Sequence, residues 1–114
     1  MSTYIDVDTA LTRVRGNKKL YKKMLEMFMG GAEFGQFDEA IEGGDIARAA
    51  DVAHGIKGMT GNLGLDRLYE ISASITENLR HGNKDEAELA QYHEALEVTK
   101  SEVAKLIIEL EGQL

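Results

Sequence analysis

The stretch AHGIKGMTGNLG, residues 53–64, decides how the chain is read. Its apolar residues recur at helical spacing, yet it carries Gly55, Gly58 and Gly61, each costing about 0.8–1 kcal/mol relative to alanine inside a helix. At about 100° per residue, with His54 set at zero, Ala47, Ala50, Asp51, Lys57, Gly58 and Gly61 fall within roughly 60° of the imidazole. Ile46, Ala49, Val52, Ala53, Ile56, Met59 and Leu63 take the opposite arc, with Thr60 as a polar intruder. This pattern predicts an amphipathic helix that buries the apolar arc and leaves His54 on a shallow strip. Gly58 and Gly61, with Ala50 one turn before the histidine, lower that strip so that another molecule's backbone can come close. Gly55 points about 100° away from His54, so the same reason does not reach it.

Outward from this stretch, the punctuation comes from glycine. Asp45, after Gly43-Gly44, is a natural N-cap for the histidine helix, and Gly64 is a natural C′ stop. A following helix from about residue 65 to Arg80 shows Leu68, Ile71, Ile75 and Leu79 and ends at Gly82. The last one, 84–111, places Leu89, Tyr92, Leu96, Val103, Leu106 and Leu110 close to heptad spacing. Upstream, residues 4–15 predict a short helix, and Asn17 caps another carrying Leu20, Tyr21, Met24, Leu25, Phe28 and Met29. Whether that helix runs on, bent at Gly30-Gly31, through Phe34, Phe37 and Ile41 or breaks there is left open. No segment alternates like a strand. The expected fold is therefore all-α, an up-down antiparallel four-helix bundle with a short extra N-terminal helix, forming a single domain over residues 1–114.

A chain of 114 residues with 43% apolar residues is long enough to bury one core without staples. It has no cysteine and no proline, so thiol chemistry is excluded and long helices are permitted. A formal charge of −7 opposes binding to nucleic-acid backbones. The start MSTYIDVDTA lacks a basic, apolar leader pattern, and no stretch has the run of apolar residues needed to span a membrane. A cytoplasmic protein is expected. The cations Arg13, Arg15, Lys18, Lys19, Lys22 and Lys23 crowd the first quarter and read as a solvated helix face. His81 and His93 lack metal-ligand spacing, so no metal site and no cofactor are expected. Met24, Met27 and Met29 read as core filler or bundle edge. With no P-loop or kinase glycine loop, the chain shows no residues for binding ATP or phosphorylating itself, and it is not read as an enzyme.

The residues around the histidine resemble the histidine-containing phosphotransfer (HPt) family, whose core motif runs His-x-Leu/Ile-Lys-Gly and then, five residues on, Leu-Gly. Here that motif stands as His54, Ile56, Lys57, Gly58, Leu63 and Gly64. The N-terminal IDVDTALTRVRGNKKLYKKMLEMF and the Gly44-Asp45 pair add to the likeness, which covers nearly the whole chain. The resemblance implies that His54 accepts a phosphoryl group from the aspartyl phosphate of one response-regulator receiver domain and passes it to another. A hybrid sensor kinase is the implied upstream partner, and the Mg²⁺ would reside in the receiver domain. An imidazole with a free nitrogen lone pair is a nucleophile without a dedicated base. Lys57 would hold the phosphoryl oxygens, and Gly58 would admit the partner's loops.

If the helical hairpin turns at Leu65, His54 and Thr76 are each eleven residues from it and should lie side by side. Thr76 stands where some members carry a glutamine that orients the imidazole. Arg80 matches a basic position near the phosphoryl group in some members, and Gln36 is a further candidate to orient the ring. Met59, Leu63, Tyr4, Ile5 and Leu11 are candidates for an apolar docking surface, and a monomer is expected. The phosphotransfer domain of a chemotaxis-type kinase is a second version of the same class. The alternative from another class is a helical-bundle adaptor that binds receiver domains without accepting phosphate, for which an intact His54 has no use.

Overall fold

The computed structural model describes residues 4–114, and among them every regular element is an α-helix. The elements are α1 (Val7–Arg13), α2 (Lys18–Met29), α3 (Glu33–Glu42), α4 (Ile46–Leu63), α5 (Asp66–Arg80) and α6 (Glu86–Gly112). Their starts follow from side chains that satisfy the orphan amides of a first turn. Asp6 accepts from the Thr9 amide at 3.1 Å, Asn17 from Leu20 at 3.0 Å and Asp45 from Arg48 at 3.1 Å. Asp85 holds the amides of Ala87 and Glu88 at 3.0 and 3.2 Å, opening the long final helix.

The region left open by the sequence divides into two helices. The Gly31 amide turns back to the Phe28 carbonyl at 3.1 Å, a tight turn that ends α2, and α3 starts afresh as the Gln36 amide donates to Ala32. Gly31 suits this turn, because a Cβ would displace the Glu33 carboxylate and crowd the Phe28 carbonyl at 3.2 Å and the Phe34 ring at 3.4 Å. Phe28 and Phe34 clasp the break edge to face, with ring centroids 5.3 Å apart. Together α2 and α3 form one arm of the bundle: α2 packs along α6 and α3 along α4, while α4 packs most extensively on α5 and α5 on α6. The result is the expected four-armed bundle, 45 Å long and about 20 Å across, with its first arm broken.

The core runs the length of this bundle, with Tyr21, Leu25, Phe28, Phe37, Ile56, Leu65, Leu68, Tyr92, Val103 and Leu110 fully or almost fully buried. Three alanines, Ala49, Ala50 and Ala53, are also buried, so the small face of α4 lets its neighbours approach closely. Thr60 is buried as well, but its hydroxyl donates to the Ile56 carbonyl at 2.8 Å, which satisfies the polar intruder inside its own helix. Short α1 lies across the α4–α5 turn. Its Asp6 amide donates to the Gly64 carbonyl at 2.7 Å, and Ala10 is buried beneath it. Gly64 adopts φ +71°, the left-handed conformation that ends α4, and a Cβ there would overlap the Asp6 carbonyl.

Candidate functional site

α4 carries His54 out of the bundle, but the open strip is turned from where helical arithmetic centres it. The exposed residues are Ala47, Arg48, Asp51, His54, Gly55, Gly58 and Asn62. On the angular scale used above, these run from about 0° to 120°, so His54 stands at the edge of the strip and Gly55 lies on it. A Cβ at Gly55 or Gly58 would meet nothing within 4 Å. Neither glycine is required by packing inside the molecule, and both leave bare backbone to the solvent. Gly61 differs, since its absent Cβ makes room for the Tyr69 ring of α5, 3.4 Å from where that atom would stand. Ala50, expected on the open strip, is 4% exposed. Ala50, Lys57 and Gly61 share one flank of α4, where the Tyr69 ring of α5 covers Gly61 and Lys57 is half-buried, so this side of the histidine is less open than the other.

Where α4 meets the start of α5, His54, Lys57, Arg13, Asp66 and Tyr69 line a recess of about 340 Å³, with Gly58, Gly61 and Asn62 completing its wall and floor. Lys57 follows His54 by three residues, about 4.5 Å along the axis and on the same side, so its ammonium can reach a group carried on the imidazole. His54 makes no hydrogen bond or ion pair among the described residues, whereas His81 Nδ1 meets the Glu77 carbonyl at 2.8 Å and His93 Nε2 meets Asp38 at 2.9 Å. Asp66 has its carboxyl pushed above the usual carboxylate range, first by burial and then by the nearby Asp6 and Glu70, with Arg13 acting in the opposite sense. Beyond Asn62 the strip passes into an apolar hollow of about 360 Å³ lined by Met24, Met27, Phe28, Ala32, Met59 and Leu63.

The other sequence candidates lie elsewhere. Thr76 is 2% exposed and donates to the Ser72 carbonyl at 2.7 Å, so its hydroxyl is consumed within α5 and turned from the imidazole. The hairpin arithmetic addresses level along the axis and leaves the face undetermined, and the face that carries Thr76 is buried. Arg80 closes α5 about one helix turn beyond the level of His54, away from the recess, and is not among the residues that line it. Gln36 is exposed on α3, and no hydrogen bond joins it to His54. Of the apolar docking candidates, Ile5 and Leu63 are buried at 6% and 3% exposure, while Met59, Tyr4 and Leu11 remain partly accessible. Sequence reasoning missed Arg13, Asp66 and Tyr69. Tyr69 was within reach of it, since Gly61 and Tyr69 are each four residues from the Leu65 turn. Arg13 was not, because it arrives from a separate helix.

Among the described residues, no group of three or more His, Asp or Glu side chains is placed to hold a metal ion, and no helix is long and apolar enough to cross a membrane. No curated protein and no solved structure is similar enough to match the chain. The family model of the Hpt domain matches residues 23–112, a span that contains α3 to α6, His54, Lys57 and Gly58. Hpt domains carry phosphoryl groups rather than acting as enzymes. A bare-backboned histidine helix set in this bundle and covered by that match shows that the chain belongs to the Hpt domain family, with a phosphotransfer-related role in two-component signalling.

Proposed function

We propose that the protein is a phosphocarrier of a multistep phosphorelay, taking a phosphoryl group onto His54 from the aspartyl phosphate of one receiver domain and delivering it to the aspartate of another. The observation that carries this reading is the placement of His54, exposed and unbonded at the edge of a strip whose Gly55 and Gly58 serve no internal packing. An imidazole nitrogen attacks phosphorus in line, the P–N bond forms, and the P–O bond to the donor carboxylate breaks, releasing the carboxylate. The reverse step transfers the group onward. Little covalent work is left to protein side chains in such a transfer, so alignment and charge neutralisation dominate. Lys57 neutralises the phosphoryl oxygens, the bare backbone at Gly55 and Gly58 lets the donor's loops come down beside the ring, and the receiver supplies its own Mg²⁺. The apolar hollow around Met27 and Met59 gives the docked domain an adjoining surface to dehydrate.

The test is incubation with a radiolabelled phospho-receiver, followed by acid and alkali treatment of the product. Label on this chain that is lost in acid, survives alkali and vanishes in His54→Gln is expected. A receiver that docks on the chain without transferring label would instead identify an adaptor.

A further inference from the structure

Arg13 is the recess residue that the family match leaves out, since α1 precedes residues 23–112. Three anchors fix its position. Asp6 caps α1, the Asp6 amide is bonded to Gly64, and the Arg13 guanidinium donates from Nη1 to the Gly61 carbonyl near the C-terminal end of α4. That bond uses one of five guanidinium N–H donors. Arg13 and Lys57 are the two cations of the recess; neither has a carboxylate within 4 Å among the described residues, and the carboxylates of Asp6 and Asp66 feel the Arg13 charge from further off. A capping role for α4 accounts for the contact with Gly61 but not for the guanidinium's remaining donors in the recess.

Distance separates the two cations by role. Gly61 lies seven residues beyond His54, two turns or about 10 Å along α4, so a guanidinium held there is too far to touch a group bonded to the imidazole. Lys57 is within that reach. A donor that presents a phosphoryl group on a carboxylate is itself anionic at the face it brings to the recess, and this chain is otherwise strongly acidic. Resting on the phosphocarrier reading above, we infer that Arg13 is a docking and specificity residue that pairs with an acidic group on the donor receiver domain, while Lys57 acts on the transferred phosphoryl group itself.

Two phosphodonors distinguish these roles. With phosphoramidate, a His54 nitrogen bonds phosphorus as the P–N bond to ammonia breaks and ammonia leaves, and no protein docks. With a receiver domain that has been phosphorylated by acetyl phosphate and transfers to the unmodified chain, docking is required. Arg13→Gln is expected to raise the half-saturating receiver concentration about tenfold and to flatten its salt dependence, as loss of a rim charge does. The phosphoramidate rate should stay unchanged while the melting temperature falls slightly with loss of the bond to Gly61, and Arg13→Lys should remain within about twofold of the unmodified chain in half-saturating receiver concentration. Equal slowing with both donors, or no change with either, would overturn the inference. Failure of the unmodified chain to form phosphohistidine at His54 with phosphoramidate is a separate result that sinks the phosphocarrier reading and this inference with it.

Discussion

His54 and His93 are both exposed histidines on long helices, and their surroundings are opposite. The Nε2 atom of His93 meets Asp38 across the α3–α6 groove at 2.9 Å, and its ring packs edge-on against Tyr92 with centroids 5.1 Å apart. His54 stands beside bare backbone, with a lysine one turn on and no hydrogen bond among the described residues. One imidazole has its outer nitrogen committed to a carboxylate, which joins two arms of the bundle. The other has neither nitrogen engaged by a protein group among the described residues. Exposure alone therefore does not set His54 apart; the vacancy of its nitrogens and the low relief around it do.

The largest effect should come from exchanging the two residues' fates. His54→Gln is expected to abolish label transfer from a phospho-receiver, and His93→Gln to leave it at the unmodified level, as read by acid-labile label on the chain. A phosphorylated His54→Gln protein would break the contrast outright.

Next in size is Gly64→Ala. A left-handed backbone costs a side chain about 1–2 kcal/mol, and the added Cβ also collides with the Asp6 carbonyl, so urea unfolding should show a loss of about 2 kcal/mol or more. The damage belongs to the His54 end, because α1 and Arg13 are seated there. Gly43→Ala, near the start of α4 and without a left-handed backbone, should cost less.

Gly55→Ala and Gly58→Ala should move stability the other way. With no neighbour to meet the new Cβ, each should gain up to about 1 kcal/mol of helix propensity. At Gly58 the gain should come with weaker receiver docking, measured by titration calorimetry. If docking is untouched in Gly58→Leu, the strip is not the contact surface.

Alkali sharpens the comparison through the phenols at the two ends. Tyr21 donates to the Leu63 carbonyl at 2.9 Å, and burial, followed by the charges of Asp6 and Asp66, pushes its phenol from 10.0 up to about 12. A folded value above the unfolded one means the stabilisation is whole below pH 10.0 and drains away as pH rises toward about 12. Tyr21→Phe should lessen the slope in alkaline unfolding curves, with Tyr92, whose phenol is likewise pushed up by burial, keeping its own share, while costing about 1 kcal/mol at neutral pH from the unpaired Leu63 carbonyl. The smallest effect is expected for the His93–Asp38 pair. Both side chains are about half exposed, so a double-mutant cycle should give less than about 1 kcal/mol.

Much of the architecture was legible because its causes are local. Asn17, Asp45 and Gly64 mark helix ends through bonds and backbone angles within a few residues of themselves, and they do so in the structure as the sequence predicts. Apolar spacing identifies the buried arc of α4 for the same reason: a helix's own geometry sets it. His54, Lys57 and Gly58 were legible as a motif, and Lys57 does lie one turn from the imidazole beside the recess. Thr76 shows where such reading stops. Its level beside His54 follows from residue counting, but which face of α5 turns inward depends on how α5 rolls against α4 and α6.

The same distinction governs the site as a whole. Composition, caps and periodicity are enough to determine an all-helical bundle with His54 turned outward, since each depends on neighbours in the chain. Tertiary packing alone decides that the strip opens toward Gly55 rather than Ala50, that the first arm breaks at Gly31, and that Arg13 meets His54's recess from forty-odd residues away. Those outcomes depend on which helix covers which flank, and that is fixed by contacts between distant segments that no local pattern encodes.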